Sequence, residues 1–381
     1  MEWTKRYQGK ELRYGFTTGS SATAAAKRAA SQLLLGQSED EVEITTPQGQ
    51  VLTIPTRLVF AEPDHAKAKV VKDAGDDPDI TDGIEIFADV SRIPQGLEIT
   101  GGEGVGTVTK PGLDQPVGEK AINSGPRYML TQALSSVCEA AGYQGGLRIV
   151  ISIPAGTELA RKTFNPKLGI VGGISVIGTT GIVEPMSSKA LFDTIVLEIR
   201  QAATRQQDFL MLISGNYSKD FLRVQMQLDN IPYVVTSNFV RDSLEAAWKE
   251  GFQQVLLVGH IGKYVKLALG MPNTHSDYGD GRMPCLVYCA LKAGADRDVL
   301  LAISNSVTTE AALYILREHD LLWTTMEILG QIIEEQLTRH LPEGKRLGFI
   351  FFCNKKGLPG ELYRSEEAKK MLAELPALEG N

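Results

Sequence analysis

Cysteine is scarce in this chain: four in 381 residues, Cys138, Cys285, Cys289 and Cys353. That number cannot build a disulfide framework in a protein of this length. Histidine is nearly as rare, at five, and no two of the five stand at a metal-finger spacing. No apolar run reaches the roughly 18 residues of a membrane-spanning helix. The start, Met1-Glu2-Trp3-Thr4-Lys5-Arg6, lacks the apolar segment of a secretory signal. Basic charge is also short, with 39 Lys and Arg against 46 Asp and Glu and a formal net charge of −7. A general nucleic-acid footprint is therefore absent, and any polyanion must meet a local basic patch. Hydrophobic residues at 43% and charged residues at 22% exclude a disordered or fibrous chain. The expectation is a soluble, cytoplasmic protein of two domains, since a domain averages about 100–200 residues.

What is plentiful is glycine, 38 of 381 residues, above the usual share of about 7%. It clusters in 101–106, 169–181 and 259–281. Clusters between apolar runs mark tight turns or backbone close to a ligand.

The two halves have different rhythms. The first reads as α+β. A Ser/Thr-rich turn at Thr17–Ser21 precedes an Ala-rich helix, Ala22 to Leu35, which a hydroxyl just ahead can cap. Alternating strands follow at Val42–Thr45, Val51–Val59, Ala68–Lys72, Ile84–Val90 and Leu97–Thr100. Pro126–Ala141 reads as a helix, Leu147–Ile153 and Ile170–Ile177 as strands, and Ser187–Arg205 as a long amphipathic helix. In the second half Phe209–Ile213, Tyr233–Thr236 and Val255–Val258 are short apolar strands. Each is followed by a polar or Gly turn and a helix, which argues for a parallel sheet with helices on its faces. Helices dominate from Pro284 to Leu341, Gly348–Phe352 is a further strand, and Glu361–Asn381 reads as one charged surface helix with a frayed end. The fold class is thus an α+β domain over residues 1–190, then an α/β Rossmann-like domain over residues 191–381 with a helical extension. The boundary is expected within 187–208.

In an open parallel sheet, ligands bind beyond the carboxyl ends of the strands. That rule selects Ser214-Gly215-Asn216, Ser237-Asn238 and Gly259-His260-Ile261-Gly262. Each turn opens a helix whose first N–H groups are free; simple capping would use the same residues. Gly101-Gly102-Glu103-Gly104-Val105-Gly106 lacks the dinucleotide spacing and continues as strand. Gly259–Lys263 is too short for a phosphate-binding loop, and Tyr264 stands where magnesium would need Ser or Thr. Nucleotide hydrolysis is disfavoured. His260, at a strand end, and His275, in a polar loop, could face one cleft. The acidic stretch Asp73–Asp79 is either a solvated turn or the source of a base, with Asp73 and Asp76 the candidates. Cations beside the Gly loops, among them Lys110, Arg127, Lys263, Lys266 and Arg282, would suit a substrate with several carboxylates. Cys285 and Cys289, one helical turn apart, read as core, and no protein metal site is expected.

Several motifs in one order resemble the cobalt-precorrin-5B C-1 methyltransferase family of anaerobic cobalamin synthesis. They are Gly15-Phe16-Thr17-Thr18-Gly19-Ser20, Val71–Asp79, Gly101–Leu113, Phe164–Ser175, Gly178–Ser187, Gly259–Lys266 and Asn273-Thr274-His275-Ser276. The resemblance runs from about residue 12 to residue 355. Where the family often shows Thr-Cys after its first Thr-Thr-Gly, Ser20-Ser21 stand here, so a catalytic Cys at that place is not expected. Near Gly279-Asp280-Gly281-Arg282 the family more often carries Ala beside Asp and Arg, though Asp280 and Arg282 match.

The resemblance implies S-adenosylmethionine as methyl donor and a cobalt-bearing, carboxylate-rich tetrapyrrole as acceptor. The reaction is methylation of C-1 of cobalt-precorrin-5B to give cobalt-precorrin-6A. The strand-end rule assigns the donor to the second domain, with Ser214, Gly215, Asn216, Gly259 and Gly262 lining it. Substrate would lie over Thr17, Thr18, Gly102, Gly104, Lys263, His275 and Arg282, between two lobes. His260 is the first candidate for a base, Asp73 and Asp76 the next. A tetrapyrrole carrier and an α/β sugar-phosphate or nucleotide enzyme are the competing readings. Whether the chain forms a homo-oligomer is left open.

Overall fold

The computed structural model describes residues 3–7, 9–163, 165–228 and 231–378. Phe164 of the motif above and the last three residues of the tail lie outside the described residues. The fold is mixed α/β, and the chain divides into two compact units, Met1–Ser188 and Lys189–Asn381.

The first unit is built on a five-stranded sheet in the order Arg57–Glu62, His65–Val71, Glu85–Ile93, Gly146–Ser152, Leu97–Gly101. Pairings are antiparallel except the last, which is parallel. Burial in the second and third strands alternates strictly, with Ala66, Ala68, Val70, Ile86, Ala88 and Val90 inward. Above these small side chains lies the helix Thr18–Leu35, whose Ala22, Ala24, Ala25, Ala26, Ala29 and Ala30 are fully buried. Alanine faces alanine, so helix and sheet approach closely and bury a broad, shallow core. The Thr17 hydroxyl accepts the Ser20 N–H and caps the helix. Gly36 closes it in the left-handed conformation.

The second unit holds a five-stranded sheet in the order Tyr233–Val235, Phe209–Ile213, Gln254–His260, Arg346–Phe352, Glu361–Arg364. The first four strands are mutually parallel and the last is antiparallel. Both faces are covered. Leu210, Leu212, Val255, Leu257, Phe349 and Phe351 join the core under the helices between Val240 and Thr338. The alternate residues Met211, Ile213, Leu256, Val258, Ile350 and Phe352 pack with Phe221, Met371 and Leu375 on the other side. Continuous apolar runs rather than alternating ones are what two covered faces require.

Some elements differ from expectation. Ile170–Ile177 is a strand only at Ile170–Val171, because Gly172 turns the chain with positive φ. Val51–Val59 splits into Val51–Pro55 and Arg57–Glu62. The helix after Asn216 changes to a π-helix over Leu222–Met226. The stretch after His260 is one α-helical turn, Ile261–Tyr264, then a 3₁₀ segment, Val265–Leu269. The tail is not one surface helix: it begins as the strand Glu361–Arg364, and the helix from Glu366 buries Ala368, Met371 and Leu375.

Candidate active site

Because four strands of the second unit run in parallel, Ile213, Val235, His260 and Phe352 end on one edge of the sheet. The turns that follow them supply the polar groups of that edge. Gly215 has φ 147° and no heavy atom within 4 Å of where a Cβ would stand. Its backbone is therefore open, in a region that L side chains rarely adopt. Ser214 beside it is buried, with its hydroxyl 3.4 Å from that of Ser218. Asn216 is exposed, and so is Tyr217.

His260 caps the helical turn it precedes. Its Nδ1 accepts the Gly262 N–H at 3.2 Å. A backbone N–H can only donate, so Nδ1 carries no proton and the neutral ring holds its proton on Nε2. Nε2 is buried without a hydrogen bond of normal length. Asn354 faces it, and Glu310 Oε1 stands 3.8 Å away. The ring lies 5.6 Å from the Tyr217 ring and edge-on to Phe352 at 5.5 Å. Burial holds the imidazole below its ordinary pKa, Glu310 and Asn354 pull it back up, and Lys263 pushes it down. His260 therefore favours the neutral form, with Nε2 buried.

Glu310 comes from the first turn of the helix Thr309–Glu318, capped by Thr308. Its Oε2 accepts the Thr309 hydroxyl at 3.2 Å. Desolvation raises its pKa, but its own backbone N–H, His260 and the two threonine hydroxyls outweigh this and keep it a carboxylate.

Lys263 acts as a tether. Its Nζ donates to the carbonyls of Ser214 at 3.0 Å and Ser237 at 3.1 Å, joining the turns after two strands. Burial lowers its pKa. The buried Lys266 donates likewise to Thr274 O at 3.2 Å and Gly279 O at 3.1 Å, holding the loop that carries His275. His275 caps its own 3₁₀ turn, accepting the Asp277 N–H at 3.3 Å. Arg282 makes a two-point pair with Asp280 at 2.7 and 2.5 Å.

Residues 5–185 match the family model CbiD, and residues 273–361 match CbiD, C-terminal domain. A cobalt-precorrin-5B C(1)-methyltransferase of Alkaliphilus metalliredigens is 39% identical over 373 residues, covering 95% of this chain and 97% of that one. The chain belongs to the CbiD family. Proteins of the same name from Ruminiclostridium cellulolyticum and Photorhabdus laumondii are each 44% identical, over 82% and 86% of this chain and equal shares of their own. A solved structure of the cobalamin biosynthesis protein cbiD from Archaeoglobus fulgidus is 27% identical, with TM-score 0.39, covering 68% of this chain and 80% of that one.

The CbiD motifs of the first unit are placed by packing. Thr17 caps a helix, and the buried Thr18 hydroxyl donates to Ile177 O at 3.1 Å and accepts the Ile177 N–H at 2.9 Å. Gly104 has φ 70° and its Cα sits against the Ile153 carbonyl. Its own carbonyl crowds Gly156 and Gly173, so three chain segments meet with no room for a side chain. Gly102 abuts Ser152 and Val150. Asp73 pairs with Arg13 at 2.6 and 2.8 Å, and this hydrogen bonding lowers its pKa despite the opposing desolvation. Asp76 accepts the Arg13 N–H at 2.6 Å. Both carboxylates are therefore engaged in holding the acidic loop to the strand Lys10–Arg13.

In the second unit Ser214, Gly215, Asn216, His260, Gly262 and Lys263 do gather at one edge. Gly259 belongs to it by packing: a methyl there would fall inside the Tyr264 ring. Sequence reasoning missed Glu310 and Tyr217. The run Thr308-Thr309-Glu310 carried a helix-start signal, but nothing local tied it to a histidine fifty positions earlier in the chain.

Proposed function

We propose that this CbiD protein transfers a methyl group from S-adenosylmethionine to C-1 of cobalt-precorrin-5B, giving cobalt-precorrin-6A in anaerobic cobalamin synthesis in the cytoplasm. The observation that carries the reading is the similarity to named methyltransferases along nearly the whole chain. The donor is assigned to the carboxyl edge of the second unit, which we read as a Rossmann-like domain, and the macrocycle to the first, α+β unit.

The way the charged side chains at this edge are engaged is compatible with that division. The donor is cationic and the macrocycle is a polyanion. At the second-unit edge Lys263 and Lys266 are committed to carbonyls and Arg282 to Asp280. Glu310 remains as a carboxylate, 27% exposed. Neither lysine is placed to reach a substrate carboxylate without giving up its carbonyls, and Glu310 adds a negative charge at the rim. The groups present fit a nucleoside cation: an open backbone at Gly215, the Asn216 amide, and an exposed Tyr217 ring for a flat base or a positive charge.

The sulfonium supplies an already electrophilic methyl group, so the protein's main task is orientation, a term that can be worth roughly 7–11 kcal/mol. Ser214, Gly215 and Asn216 would hold the donor, and Lys263 keeps their turn in register with Ser237. Cobalt enters with the substrate. Incubation with isotopically labelled donor and cobalt-precorrin-5B should add one methyl group by mass analysis. No mass gain with correctly folded protein refutes the activity. Replacing Gly215 by a bulky residue should weaken donor binding in calorimetry; undisturbed affinity would move the donor to the first unit.

A further inference from the structure

The hydrogen-bond pattern at the sheet edge reverses the roles that the residue types suggest. Histidine is the usual base, yet His260 has Nδ1 occupied by an N–H donor and Nε2 enclosed. A carboxylate is the only acidic side chain within 4 Å of that Nε2 among the described residues. We propose that Glu310 is the carboxylate that receives the positive charge of the methyl donor, and that His260, its proton fixed on Nε2, is the positioning residue that aims it.

Three observations carry this. First, the tautomer is set by the backbone: Gly262 N–H leaves Nδ1 as acceptor, so the proton sits on Nε2, which faces Asn354 and has Glu310 Oε1 3.8 Å away. Secondly, Glu310 is more open than His260, 27% against 12% of the side chain exposed. The carboxylate reaches the edge and the imidazole stands behind it. Thirdly, among the described residues no Lys or Arg side chain lies within ion-pair distance of Glu310. Arg282 senses it at a distance but is bonded to Asp280, and Lys263 is bonded to carbonyls. Thr308 and Thr309 hydroxyls and Cys353 complete its surroundings. The exposed Tyr217 ring lies 5.6 Å from the His260 ring and offers a second surface that attracts cations.

The inference rests on donor binding in the second unit, and its test separates the two. Binding of S-adenosylmethionine to the full chain is measured by calorimetry for the unaltered protein and for Glu310→Gln. Loss of the negative charge that faces the donor's cation should weaken donor binding roughly ten- to hundredfold. If the unaltered chain binds no donor, the methyltransferase reading and this inference fall together. If it binds and Glu310→Gln, folded by thermal unfolding, binds equally well, this inference alone is overturned. Should Glu310→Gln not fold, Glu310→Asp withdraws the carboxylate by one methylene; unchanged affinity there overturns the inference too. Without any ligand, ¹⁵N spectra of labelled histidine should show His260 neutral with its proton on Nε2 at pH 7. Its pKa should fall further in Glu310→Gln, because the carboxylate now stabilises the imidazolium. A proton on Nδ1, or a pKa unmoved by the substitution, refutes the pairing.

Discussion

Replacing Lys263 by Met isolates the tether at the sheet edge. Methionine keeps the apolar stem and deletes the ammonium that reaches Ser214 O at 3.0 Å and Ser237 O at 3.1 Å. A hydrogen bond from a charged donor is worth about 1.5–3 kcal/mol, so the two together come to roughly 3–6 kcal/mol. Part of that is returned, because burial already disfavours the ammonium and lowers its pKa. Of the two carbonyls left, that of the half-buried Ser237 can turn to water more readily than that of the buried Ser214. A net loss of about 2–4 kcal/mol follows. Urea unfolding followed through Trp248 and Trp323, both in the second unit, would report it as a lower midpoint at unchanged slope. Donor affinity should fall with it, since the Ser214 turn is no longer held. An unchanged midpoint with a raised KM for the macrocycle alone would refute the tether and return Lys263 to direct substrate contact.

Two other expectations follow from the same edge. Gly259→Ala should cost about 1–3 kcal/mol by overpacking, because the new methyl collides with the fully buried Tyr264 ring; thermal unfolding measures it, and Gly259→Ala with Tyr264→Leu should recover part of the loss. The pKa of His260 is lowered in the folded chain, so the unfolded chain binds the extra proton first as pH falls. Its contribution to stability is complete above the unfolded value of about 6.5 and is lost progressively below it; denaturation at pH 8 to 5 should show that slope, and His260→Gln should flatten it.

How much of this was legible in the residues depends on how local the cause was. Phe209–Ile213 is a strand over the very residues read from its apolar run, since two covered faces demand continuous hydrophobicity. The Ala-rich helix was equally plain. The Glu361–Arg364 strand was hidden because four residues carry too little pattern, and the edge it pairs with, Arg346–Phe352, is set by tertiary structure. Glycine was less legible for a related reason. Gly259 and Gly104 read as ligand-approach positions, and in the fold Tyr264 and the Ile153 carbonyl also exclude a side chain there. Cations were less legible as well: Lys263 and Lys266 are charged, but their partners are carbonyls that a sequence does not display. Glu310 escaped because its significance lies in a nitrogen on another element.

The meeting of Gly104, Gly156 and Gly173, peptide against peptide, has a bearing on how such a protein can change. None of the three loops can be exchanged for a foreign one without the other two, since a single added carbon in any of them pushes on the rest. Variation in this part of the chain must therefore arrive as a matched set or stay at the rims. A designer seeking altered specificity would do better to rewrite the loop tips and leave this junction untouched.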